Sequence, residues 1–90
     1  MEKSETRVAL IGILVSDTEV AEQINSLLHD YGNYIIGRMG LPYSKAGLSI
    51  ISVAMDAPQD AISALSGKLG AIPGVATKTI MPKLNRKDAP

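Results

Sequence analysis

Thr6-Arg7-Val8-Ala9-Leu10-Ile11-Gly12-Ile13-Leu14-Val15 decides the fold. The stretch is aliphatic or β-branched almost throughout and stops after ten positions, so it reads as a buried strand and not as a helix. Ser16, with Glu19 three residues on, has the form of a capping box, and Asp17 adds a negative charge where a helix dipole favours one. Val20, Ile24, Leu27, Leu28 and Tyr31 then form one apolar stripe at helical spacing, ended by Gly32. A helix over about Thr18 to Tyr31 follows.

Tyr34, Ile35, Ile36, Arg38, Met39 and Leu41 predict a second strand, with Pro42 to Gly47 turning the chain back as a hairpin. The third strand runs from Leu48 to Met55, and Asp56 with Pro58 ends it and opens the next helix. Ile62, Leu65, Leu69 and Ile72 give that helix a single apolar face, and it ends near Gly70. Pro73-Gly74 makes a turn, and Val75 to Met81 reads as a short last strand. The order β-α-β-β-α-β with short connections closes as an α+β, ferredoxin-like fold. Its expected form is a four-stranded antiparallel sheet, order 4-1-3-2, with both helices on one face. Residues 1–82 make up the expected domain, and 83–90, with almost nothing apolar, the expected loosely ordered tail.

A sheet covered by helices on one face only should alternate apolar and polar side chains if it faces water on the other. These strands do not. Val8, Leu10 and Leu14 oppose Ala9, Ile11, Ile13 and Val15, while Leu48, Ile50 and Ala54 oppose Ile51, Val53 and Met55. Leaving half a dozen such side chains in water forgoes on the order of 10 kcal/mol, comparable with the net stability of a small domain. A homo-oligomer, dimer or tetramer, is the expected cover. The competing reading is a bulge at Gly12 that slips the register and mixes the faces.

Composition narrows the function. Nine basic and nine acidic side chains cancel, so the electropositive field behind direct nucleic-acid binding is missing. No cysteine is present, which excludes disulfides, thiolate metal sites and cysteine nucleophiles. The longest apolar run, Val8 to Val15, is far shorter than the roughly 18 residues that span a bilayer, so no membrane partner and a cytoplasmic location are expected.

No catalytic set emerges. His29 is the single histidine and lacks co-ligands for a metal; at a helix end it serves the dipole. The acidic pairs Asp17/Glu19 and Asp56/Asp60 both lie at helix starts, where capping accounts for them. Ser66-Gly67-Lys68-Leu69 resembles a phosphate loop but has Leu69 where Ser or Thr is required; Gly67 within a helix instead suggests close approach of another backbone. Strands one and three lack the aromatic residues on which RNA-recognition domains stack bases, and Ser16-Asp17-Thr18 lacks the arginine of acylphosphatase-like enzymes. Arg38, a fixed charge between Gly37 and Gly40, is the best binding clue, against the plainer role of keeping an edge strand from aggregating. Arg38, Lys68, Tyr34 and Tyr43 are the candidate residues for binding a small ligand near subunit contacts, with tyrosines suited to a wet interface rim.

Ile24-Asn25-Ser26-Leu27-Leu28-His29-Asp30-Tyr31, Arg38-Met39-Gly40-Leu41-Pro42 and Ala64-Leu65-Ser66-Gly67-Lys68-Leu69-Gly70-Ala71-Ile72-Pro73-Gly74-Val75, with Lys78-Thr79, resemble the small iron-only hydrogenase system regulators. That family looks like the C-terminal domain of the nickel regulator NikR and like ACT domains. The resemblance implies an oligomeric, ligand-sensing, non-catalytic regulatory domain. Nickel binding does not carry over, because NikR-type sites use several histidines and a cysteine and only His29 is present. Ser16-Asp17-Thr18-Glu19 also lacks the glycine usual in the first loop of amino-acid-binding ACT domains. Met1 to Thr6 is too short for a DNA-binding ribbon-helix-helix, so any effect on transcription is expected to pass through a partner protein. No cofactor is expected. The other readings are a structural adaptor without ligand and a small enzyme that borrows its chemistry from a cofactor.

Overall fold

The structure, a computed structural model, describes residues 5–82. Its elements are β1 (Arg7–Val15), α1 (Ala21–Asp30), β2 (Ile35–Tyr43), β3 (Leu48–Ala57), α2 (Gln59–Gly70) and β4 (Val75–Ile80), with single 3-10 turns over Thr18–Val20, Gly32–Tyr34 and Ser44–Ala46. The strands form one antiparallel sheet ordered β2-β3-β1-β4, which is the expected 4-1-3-2 order read from the other edge. The expected tail, 83–90, lies outside the described residues.

Alternation along β1 divides the sheet. Ala9, Ile11, Ile13 and Val15 are 1%, 0%, 0% and 4% exposed, whereas Val8, Leu10 and Leu14 are 38%, 45% and 45% exposed. The first set packs beneath the helices with Val53, Met55 and Ala57 of β3, Ile24 and Leu28 of α1, and Ile62, Leu65 and Leu69 of α2. Register through Gly12 is continuous, pairing it with Ser52 and Lys78. The irregularity falls in β2 instead, where Ile36 is the extra residue between the pairs Ile35↔Met55 and Gly37↔Ala54.

Other boundaries differ from expectation for local reasons. Asp17, and not Ser16, caps the first turn, its carboxylate accepting from the Glu19 N–H at 2.9 Å. Ser16 is used elsewhere: its N–H and its hydroxyl both donate to the Gly74 carbonyl, at 2.9 and 3.1 Å. β2 continues through Pro42 to Tyr43, because an edge strand can leave the missing N–H of proline pointing away from the ladder. The turn is then Ser44–Ala46 and Gly47, whose φ of +67° requires glycine. Gly67 has open space where a Cβ would lie, so among the described residues no backbone approaches it. The close approach is at Gly70, where a Cβ would come 3.3 Å from the Thr77 hydroxyl.

Gly74 ties the turn before β4 to the end of the neighbouring β1. Its φ is +82°, and a Cβ there would sit 3.1 Å from Cβ of Asp17. Gly74→Ala is therefore expected to lower stability by about 1–2 kcal/mol, from backbone strain and the displaced Ser16 contacts, as a shift of the urea midpoint.

Candidate functional site

Two surfaces remain after the helices are packed. The first is the open face of the sheet, built of cross-strand rows. Leu41, Ile50, Leu14 and Ala76 lie side by side in one row, and Gly37, Ala54, Leu10 and Ile80 in another. Between them runs Met39, Ser52, Gly12 and Lys78, a row with two small residues at its centre. Met39, Leu41, Tyr43 and Ile80 are each about half exposed or more, so this face is a broad apolar surface and not a scatter of single side chains.

The second surface comes from the position of α2 towards β4. Ser66 and Thr79 share a hydrogen bond at 2.8 Å, and Gly70 lets the helix end close on Thr77. Among the described residues no helix lies over β2 at the opposite edge, and the strand's residues after Ile35 are all exposed. A groove is left between α1 and β2. Arg38 faces the helix side, opposite Val53, and its guanidinium donates to the side-chain oxygen of Asn25 at 3.0 Å. That bridge crosses the groove. On one side lies a cavity of about 240 Å³ walled by Val15, Ile24, Pro42 and Ile51, and on the other a more open one reaching His29 and Gly32.

The four candidate ligand residues do not converge within one chain. Arg38 lines both cavities. Lys68 lies on α2 and is occupied: its ammonium donates to the Tyr31 hydroxyl at 3.1 Å and sits 5.3 Å from the Tyr31 ring centre, tying the two helices together. Tyr34 lies in the 3-10 turn before β2, and Tyr43 stands beside Leu48 on the open face, opposite to Arg38. Asn25 is the residue that sequence reasoning passed over. Its signal was an amide, a poor helix former, beside the apolar stripe of α1.

Among the described residues, no group of three or more His, Cys, Asp or Glu side chains could hold a metal ion, and no helix is long and apolar enough to cross a membrane.

A four-stranded antiparallel sheet with two helices on one face, an apolar second face and an arginine-bridged groove defines a ferredoxin-like α+β domain. The chain belongs to the TM1266-like family, described as "Iron-only hydrogenase system regulator, putative", which it matches over residues 7–79. Among solved structures, the uncharacterized protein TM1266 from Thermotoga maritima is 38% identical, with a TM-score of 0.83 over 88% of this chain and 100% of its own. A formyltetrahydrofolate deformylase from Pseudomonas putida KT2440, 15% identical, shares the fold with a TM-score of 0.61 over 83% of this chain and 29% of its own. No curated protein matches. The family description is that of a regulator of the iron-only hydrogenase system.

Proposed function

We propose that the protein is a non-catalytic regulatory module that assembles into a homo-oligomer through the open face of its sheet and senses a small ligand through the Arg38 side of β2. The observation that carries this reading is the open face itself. Val8, Leu10, Leu14, Met39, Leu41, Tyr43 and Ile80 are all on it and all 38% exposed or more. Covering the rest of each is worth about 1 kcal/mol, so the set supplies on the order of 5–10 kcal/mol per subunit. A symmetric pair gains this on both subunits, enough to offset the cost of association.

The family description supports a regulatory role, and Arg38 supports a ligand, since a guanidinium is a fixed cation with a planar donor fork. A ligand on one side of β2 would act on the strand whose other side carries Met39, Leu41 and Tyr43. Binding and assembly would then be coupled through a single element.

Native mass spectrometry of the full chain tests both parts at once. The expected spectrum contains a multiple of the 9.5 kDa chain and a small-molecule adduct that the Arg38→Gln variant loses. Bare oligomers in both proteins, together with no thermal stabilisation by any small molecule, would favour an adaptor without ligand.

A further inference from the structure

We infer that the groove between α1 and β2 binds a small monocarboxylate with a short apolar tail, its carboxylate on the Arg38 guanidinium and its tail against Val15, Ile24 and Ile51. This deepens the sensing part of the proposed function and rests on it for its regulatory meaning only. The binding claim stands on the groove.

The first support is the state of Arg38. A charge placed only to keep an edge strand soluble would be free in water, on either side of the strand. Arg38 is exposed, but it is fixed on the helix-facing side, in the row of Val53 and Ile11, and is not free. Its guanidinium is held across the groove by the amide oxygen of Asn25. An amide orients a guanidinium without neutralising it, and among the described residues no carboxylate pairs with Arg38. One of its five N–H donors is engaged, leaving enough of the fork to take both oxygens of an incoming carboxylate.

The second support is what adjoins that fork. The cavity of about 240 Å³ is walled mainly by aliphatic side chains, and Gly40, opposite Ile51, leaves its floor open where any other residue would place a Cβ. A fixed cation beside a half-open, largely apolar cavity selects molecules that carry one anionic head and an apolar body. The size limits that body to a short alkyl chain or a single ring. Among the described residues no lysine, histidine or second arginine lines this cavity, so a phosphate monoester, with nearly two negative charges, finds only half of its countercharge in them.

The site also remains open in the proposed oligomer. The partner would cover the open face, whereas the groove lies on the helix side of β2.

Titration of the ¹⁵N-labelled full chain with hexanoate, followed by NMR, tests the inference. Hexanoate is expected to give saturable shifts centred on the amides of Asn25, Arg38, Gly40 and Ile51. Hexanamide, which keeps the tail without the charge, and acetate, which keeps the charge without the tail, should each bind about tenfold or more weakly. Arg38→Gln should weaken hexanoate by about tenfold or more. Gly40→Val fills the chamber floor without straining the strand, and should abolish the shifts while the core amides of Ile11 and Ile13 keep their positions. No saturable shifts with hexanoate, equal binding of hexanamide or inorganic phosphate, or an unchanged affinity in Arg38→Gln would each overturn the inference. Light scattering on the same samples separates the two proposals. An assembled protein that ignores hexanoate overturns this site alone, and a monomer that binds it overturns only the assembly.

Discussion

Replacing Leu10 and Leu14 together with lysine is expected to turn the assembled protein into a folded monomer. Both side chains are 45% exposed on the open face of the central strand, one in each apolar row flanking Gly12. In an assembly the double variant would bury four ammonium groups per symmetric pair without partners, at several kcal/mol in all, beyond the apolar contact that is lost. The dissociation constant should rise by at least about 100-fold, on the order of 3 kcal/mol. The monomer should tolerate the change, because the lysine stems can lie over the neighbouring Ala54, Ala76 and Ile80 with their charges in water. Sedimentation velocity reads the mass and far-UV circular dichroism the fold. Glu22→Lys, on the exposed side of α1, is the control expected to leave the mass unchanged. A double variant that keeps the wild-type mass would mean that another surface makes the contact.

One step along the same strand the expected effect is of a different kind. Ile11 is 0% exposed and lies between Val53 and Thr79 under the helices. Ile11→Ala should remove about 3–4 kcal/mol of stability, part from lost burial and part from the cavity left behind. That is a large share of the 5–15 kcal/mol typical of a small domain. Leu14→Ala, only three residues away, should cost the isolated subunit about 1 kcal/mol or less, because Leu14 is already half in water. Assembly would raise the apparent stability of the wild-type protein with concentration, so the comparison belongs in the Leu10/Leu14 lysine background. Equal costs at the two positions, read from urea midpoints, would contradict the facing of β1.

The aliphatic alternation of β1 and β3 made the fold legible, since a short run with a period of two and both sets apolar identifies the element and its two faces. The stripes of α1 and α2 did the same for the helices. Local hydrogen bonding was less legible. Ser16 and Asp17 are both good caps, and the choice between them was made by Gly74, which is 58 residues from Ser16 and draws its donors away. The bulge went to Ile36 and not to Gly12 because Gly12 lies on the central strand, where neighbours on both sides hold the register, whereas β2 is an edge with one neighbour. The site was legible in part. Arg38 stood out as a fixed charge between glycines, but its partner Asn25 lies on a helix, and only tertiary packing could bring the two within 3.0 Å. Lys68, equally prominent in the sequence, proved to be engaged by Tyr31.

Everything proposed about assembly depends on whether this sheet is ever found with its second face bare. Multi-angle light scattering on the unmodified protein, eluting from a sizing column at micromolar concentration, measures that directly. The expected mass is an integral multiple, two or more, of the 9.5 kDa chain. A single symmetric peak at 9.5 kDa would contradict it.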